Sequence, residues 1–364
     1  METDTIKNEL LPAIERWQAA GERVAMATVV WVEGTAPRQA GARLVASARG
    51  ELAGSVSGGC VEGAVLEEAR RVLRSGQPVR REYGITADML TDVGLSCGGR
   101  ISVFVEALDS PAAAAVYPPL FDLIAHTRPA ALATVIGGPC FGAKLLVPAE
   151  GPVAGGIDPG LDERIAADAR RVLAAESAEG VRYPLGTETV EVFIESFPPA
   201  PRLVIVGAVH IAIPLHRLAH LLGYHVTVID PRGMLATPAR FPEADAVLVE
   251  WPDDAMATLG LDPASAVVVL AHDPKFALPA LQTALASPAR YIGAIGSRGT
   301  NTQRIADLRA LGLPDDAIAR IHAPIGLDLG AETPAEIALA IMAEILATRE
   351  HRPGGSLSGS ALVP

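Results

Sequence analysis

The chain has 364 residues, a formal net charge of −12, and 49% hydrophobic but only 4% aromatic residues. That length accommodates two or three domains, and the alanine-heavy, aromatic-poor composition favours helix-rich α/β layers over a β-sandwich. The acidic balance excludes general nucleic-acid binding, the polar N-terminus excludes an obvious signal peptide, and no apolar run reaches the ~18 residues of a membrane span.

Residues 1–197 contain an internal repeat. Ala27-Thr28-Val29-Val30 recurs as Ala133-Thr134-Val135-Ile136, and Gly41-Ala42-Arg43-Leu44 as Gly142-Ala143-Lys144-Leu145. Ala69-Arg70-Arg71-Val72-Leu73 recurs as Ala169-Arg170-Arg171-Val172-Leu173, and Val103-Phe104-Val105-Glu106 as Val192-Phe193-Ile194-Glu195. Each copy reads as strand, hairpin, strand, helix and closing strand, the two together forming one duplicated α+β layer domain.

Only the first copy carries cysteines beside paired glycines: Ser57-Gly58-Gly59-Cys60-Val61-Glu62 and Gly94-Leu95-Ser96-Cys97-Gly98-Gly99. Glycine removes bulk and permits positive φ, so backbone and sulfur can approach a ligand closely. A thiolate at Cys60 or Cys97 suits a soft metal or persulfide traffic, and the neighbouring amides could lower its pKa or bind an oxyanion. The competing reading is a small buried hydrophobe at a tight turn. Cys140, after Gly137-Gly138-Pro139, reads as a plain turn residue. Three cysteines, an odd number in a long chain, point to reduced thiols and a cytoplasmic location. Arg38, in the loop after the first strand, is the leading anion-binding guanidinium, with Arg43 and Arg100 as further candidates. Glu62 stands where a helix begins and is placed to cap or orient the Cys60 turn.

Phe197-Pro198-Pro199-Ala200-Pro201 reads as a stiff linker. Beyond it, residues 202–350 alternate buried strands with helical patterns, which predicts a Rossmann-like, doubly wound parallel sheet. Gly207 follows the first strand, and Asp230 ends the second, where a dinucleotide fold places its ribose-binding acid. Val209 stands where the second glycine of the fingerprint would be and would crowd a pyrophosphate, so NAD(P) is a doubtful ligand. His272 and Asp273 end a later strand at the carboxyl edge, where open α/β sheets bind ligands. Residues 351–364 form a Gly/Ser-rich tail expected to be disordered.

The two cysteine motifs, with Ala271-His272-Asp273-Pro274-Lys275, Tyr291-Ile292-Gly293-Ala294-Ile295-Gly296-Ser297-Arg298, Pro324-Ile325-Gly326-Leu327-Asp328 and Thr333-Pro334-Ala335-Glu336-Ile337-Ala338, resemble the XdhC/CoxI family over nearly the whole chain. The resemblance implies an accessory protein, rather than an enzyme, for molybdenum hydroxylases of the xanthine dehydrogenase or carbon monoxide dehydrogenase type. Such a protein binds molybdenum cofactor, protects it while its terminal sulfur is installed, and inserts it into the apoenzyme. The implied partners are that apoenzyme, a cysteine desulfurase and a second copy of the chain. Cys60 is the expected contact to the metal. The expected binding set is Cys60, Cys97, Gly58, Gly59, Gly98, Gly99, Arg38, Glu62, Gly207, Asp230, His272 and Asp273. The family's Rossmann turn carries Gly-x-Gly-His-x-Ala, from which Val209 departs. The alternative reading is an NAD(P)-dependent oxidoreductase or other nucleotide-using enzyme acting through the C-terminal domain.

Overall fold

The computed structural model describes residues 5–84 and 99–356. The chain divides between Pro199 and Ala200 into two compact units.

In the first unit, α1 (Leu11–Ala19) precedes a sheet of β1 (Val24–Glu33), β2 (Arg43–Ser47), β3 (Leu52–Gly54), β4 (Val79–Gly84) and β5 (Arg100–Ala107), with α2 (Glu62–Ser75) between β3 and β4. After α3 (Pro111–Ala125) the same series returns as β6 (Ala130–Gly137), β7 (Lys144–Pro148), β8 (Ala154–Gly156), α4 (Asp162–Ala174), β9 (Ala178–Leu185) and β10 (Glu188–Phe197). The strand orders β3-β2-β1-β5-β4 and β8-β7-β6-β10-β9 are identical. Each copy has two strands that the sequence pattern did not reveal, β3 with β4 and β8 with β9. They are edge strands, either three residues long or charged as in Val79-Arg80-Arg81-Glu82, and so lack a run of buried apolar residues. The copies match in detail: Gly54 at φ +78° and Gly155 at φ +79° each lie so close to a neighbouring carbonyl, of Arg43 and Lys144 respectively, that a Cβ would collide with it.

Each helix lays one face on its own sheet. Val65, Ala69 and Val72 of α2 pack on Ala27, Val29, Val103 and Val105, and Ile165, Ala169 and Val172 of α4 pack on Ala133, Val135, Val192 and Ile194. The opposite sheet faces meet through Val30, Phe104, Ile136 and Phe193, two repeat-related pairs. Two buried ion pairs cross the same boundary. Arg43 of the first copy pairs with Glu195 of the second, and Lys144 of the second with Glu106 of the first at 2.9 Å. Arg43 and Lys144 are repeat equivalents, as are Glu106 and Glu195, so each copy supplies the base for the other's acid. Burial pushes the Lys144 ammonium below its ordinary pKa despite the attraction of Glu106.

The second unit is one parallel sheet in the order β13-β12-β11-β14-β15-β16. Its strands are β11 (Arg202–Val206), β12 (His225–Ile229), β13 (Ala246–Leu248), β14 (Ser265–Val269), β15 (Tyr291–Ala294) and β16 (Ile321–His322). Helices α5 (Ala212–Leu221), α6 (Pro252–Leu259), α7 (Pro274–Leu285), α8 (Arg298–Ala310), α9 (Asp315–Ile318) and α10 (Pro334–Arg349) complete the unit. Separate apolar clusters cover the two sheet faces, the arrangement of a doubly wound Rossmann fold. Residues 352–356 carry no helix or strand, and residues 357–364 of the expected tail lie outside the described residues. Among the described residues, no helix is long and apolar enough to cross a membrane.

Candidate functional site

The repeat provides an internal reference for what the first copy has added. Thr28 pairs with Arg43 where Thr134 pairs with Lys144, so the β1–β2 connection, which holds Arg38, has five more residues than its counterpart. From Gly54 to Glu62 the chain is one residue longer than from Gly155 to Asp162, and this stretch holds Gly58-Gly59-Cys60. Residues 85–99 join β4 to β5, whereas Gly186-Thr187 alone joins β9 to β10. The pairing directions put all three lengthened connections at the carboxyl end of β1. They also touch. A Cβ on Gly58 would lie 3.7 Å from Pro37 Cβ, and one on Gly99 would collide with the Thr35 carbonyl and stand 2.9 Å from that of Glu33. Gly99 is therefore glycine because two loops meet there. Cys97 and Gly98 lie outside the described residues.

Around Cys60 the backbone is held by one carboxylate. Glu62 Oε1 accepts from Ser55 Oγ at 2.6 Å and from the amides of Val56 at 3.2 Å and Ser57 at 2.9 Å. Its Oε2 accepts from Ser57 Oγ at 2.5 Å and from the amides of Gly59 at 3.0 Å and Val61 at 3.1 Å. The amides of Gly58 and Cys60 donate to Ser55 Oγ and Ser57 Oγ. Gly58 at φ +76° and Gly59 at φ +114° make the reversal that only glycine adopts without strain. Burial would raise the Glu62 pKa, but the hydrogen bonds from Ser55 and Ser57 prevail and hold it at about 2.

This geometry changes the expectation for the glycine amides. They serve Glu62 and two serines, so they form no oxyanion nest and are not aimed at the thiol. The loop instead presents a half-buried Cys60 Sγ on a fixed backbone. With six donors directed at its two oxygens, Glu62 orients the loop rather than a ligand. The second copy keeps the underlying device without a cysteine: Asp162 Oδ1 accepts from Ile157 N at 2.9 Å and Asp158 N at 3.1 Å. The acid at the helix start is thus part of the fold, and the Gly-Gly-Cys turn is added to it. The serines were not singled out in the sequence; their signal is the Ser-x-Ser spacing five to seven residues before the acid.

The arginine candidates separate. Arg38 is half-buried beside Pro37, at the loop that touches the Cys60 turn, and Arg100 is exposed. Arg43 is buried against Glu195 and cannot reach an anion at the surface. Cys140 occupies a turn at φ +62°.

At the carboxyl edge of the second unit, Gly207 has φ +107°, and a Cβ there would meet Ala271 N at 3.0 Å, so close approach of two chain segments requires it. Asp230 is 1% exposed. Its Oδ2 accepts from Ala208 N at 2.8 Å and Arg232 Nη2 at 2.7 Å, and its Oδ1 from Arg232 N at 2.9 Å and Nε at 2.8 Å. Burial would raise the Asp230 pKa, but Arg232 and the two amides lower it. Arg240 closes the other side of the turn, donating to the Ala208 carbonyl at 2.8 Å. The acid expected to hold a ribose is therefore committed to the protein's own groups, and Val209 packs against the core. Asp273 caps α7 by accepting from Lys275 N at 3.0 Å, beside an exposed His272. Among the described residues, no group of three His, Cys, Asp or Glu side chains could hold a metal ion.

Fold and sequence together define a two-domain protein in which a Rossmann domain follows a cysteine-bearing duplicated domain. Residues 203–345 match the XdhC Rossmann domain and residues 17–84 match the XdhC and CoxI family; the chain belongs to this family. It is 28% identical over 332 residues to a Bacillus subtilis protein named as a probable xanthine dehydrogenase subunit, covering 91% of this chain and 94% of that protein. It is also 28% identical over 353 residues to the molybdenum cofactor insertion chaperone PaoD of Escherichia coli, covering 96% and 91%. A crystal structure described as that of a xanthine dehydrogenase from Bacillus halodurans has the same fold, with a TM-score of 0.74 and 23% identity over 96% of this chain and 97% of that one.

Proposed function

We propose that the protein is a carrier in molybdenum-cofactor maturation, which binds the cofactor, shields it while its terminal sulfur is installed, and delivers it to a molybdenum hydroxylase apoenzyme. The observation that carries this reading is the contact of the lengthened loop that holds Arg38 with the Gly58-Gly59-Cys60 turn, in a chain similar over almost its full length to a molybdenum cofactor insertion chaperone. Cys60 Sγ supplies a soft donor for the molybdenum–dithiolene centre of the cargo. Arg38 supplies a guanidinium for its phosphate. Cys97, Gly98 and Gly99 belong to the third loop and are assigned to the same surface. The cargo is handed on transiently, which fits a cytoplasmic protein that pairs with a second copy and meets both a cysteine desulfurase and the apoenzyme. The closed Rossmann turn argues against NAD(P).

The test is to incubate the protein with molybdenum cofactor released from a molybdoenzyme, remove unbound material by gel filtration, and measure retained molybdenum and pterin. Wild type should retain both, and Cys60→Ser should retain at least about tenfold less. Equal retention by the two proteins would overturn the assignment of Cys60.

A further inference from the structure

Where the two copies meet, a cavity of about 490 Å³ opens beside the shared Val30–Ile136 contact. That size is ordinary for a small-molecule site. The register shows why it exists. Trp31 lies opposite Ser102 as Gly137 lies opposite Glu191, and Arg80 lies opposite Phe104 as Gly180 lies opposite Phe193. The first copy thus carries a tryptophan and an arginine at positions where the second has glycines, and Gly180 leaves open space beside it.

The lining suits a flat, hydrogen-bonding ring. Trp31 is 41% exposed, although a buried environment is normal for so large an apolar side chain. Glu82 lines the cavity, and its carboxylate makes no hydrogen bond or ion pair with any described residue. Arg80 uses Nε on Ser102 Oγ at 2.7 Å and Nη1 on Glu191 Oε2 at 2.9 Å, and Arg182 grips Glu191 Oε1 through Nη2 at 2.7 Å. Glu191 is thereby neutralised and held in place, and among the described residues Glu82 remains as the acceptor without a partner. The four charges sum to zero, so the cavity favours a neutral polar ring over a simple anion.

We propose that this cavity binds an aminopyrimidinone ring, the edge shared by pterins and guanine nucleotides. Trp31 stacks on the ring, the Glu82 carboxylate accepts from the amino group and the adjacent ring N–H together, and the arginines donate to the ring carbonyl. Trp31 is two residues along β1 from Glu33, whose carbonyl contacts the Gly99 turn, so the cavity and the Cys60 loop share one end of the sheet. The pterin source rests on the carrier reading, since the cargo has such a ring.

The full chain is titrated calorimetrically with hydroxymethylpterin, with guanosine monophosphate, and with lumazine, which has a carbonyl in place of the amino group. Hydroxymethylpterin should bind saturably, and lumazine at least about tenfold more weakly. Trp31→Ala and Glu82→Gln should each weaken pterin binding about tenfold with unchanged thermal unfolding. Binding of guanosine monophosphate alone, with the same dependence on Glu82, would support the shared edge and name the nucleotide as its source. No binding of either, or binding indifferent to Glu82 and Trp31, would overturn the proposal. Molybdenum retention reports separately: pterin binding absent with retention intact defeats the cavity assignment alone, and the converse defeats the carrier reading alone.

Discussion

Replacing Lys144 with methionine removes one charge from a closed, buried network. Glu106, 2% exposed, would lose its ammonium partner at 2.9 Å and keep only the Tyr117 hydroxyl at 2.7 Å. Thr134 Oγ1 would lose a donor at 3.1 Å, and the Phe104 ring a cation 4.9 Å from its centre. Leaving one buried charge without its partner costs roughly 3–5 kcal/mol. With a urea m-value of about 3 kcal/mol/M, the unfolding midpoint should fall by about 1–1.7 M. The chain has three tryptophans, and in a Trp251→Phe background only Trp17 and Trp31 of the first unit report. Urea curves would be recorded for Lys144→Met, Glu106→Gln and the double variant. The double variant should lose at least about 2 kcal/mol less than the sum of the singles, because one change removes the penalty created by the other. A Lys144→Met loss under about 1 kcal/mol, or additivity within about 0.5 kcal/mol, would refute the reasoning.

Two further outcomes follow from the hydrogen-bonded carboxylates. Glu62 titrates at about 2 in the folded loop against an ordinary value of 4.5, so its contribution is complete above pH 4.5 and drains away as pH falls toward 2. With Cys97 and Cys140 replaced by serine, reaction of Cys60 with dithiodipyridine should be flat from neutral pH to about pH 5, apart from the thiol's own ionisation, and accelerate below about pH 4. Glu62→Gln should be fast at every pH, and an unchanged acid limb in that variant would show the loop is held otherwise. Asp230→Asn should destabilise the second unit by about 2–3 kcal/mol, since it strips charge from four hydrogen bonds. Urea unfolding followed by Trp251 measures this, and a loss below about 0.5 kcal/mol would contradict the geometry.

The parallel sheet was legible because its strands are uninterrupted apolar runs: the first ends at Val206, directly before Gly207, and the second at Ile229, directly before Asp230. The duplication was legible because core positions such as Val103-Phe104-Val105 and Val192-Phe193-Ile194 keep their pattern between copies. Edge strands β4 and β9 were hidden by their charges. The fate of Arg43 was hidden too, since a buried partner 152 residues away leaves no mark in local pattern. Glu62 was placed at the helix start correctly by type and position, but only the structure reveals that it consumes the loop's amides. Trp31 passed unnoticed within an apolar strand; its signal is the glycine at the equivalent place in the second copy.

The crossed pairs Arg43–Glu195 and Lys144–Glu106 have the form of a two-fold contact, in which a residue on one partner meets the mate of its own equivalent on the other. A chain bearing a single copy would lack the partner that each acid and base has here in the other copy, and would need a second molecule to supply it. Joining the copies makes that encounter intramolecular and independent of concentration. It also releases the halves from identity: one can keep short turns while the other lengthens three connections, one of them bearing Cys60.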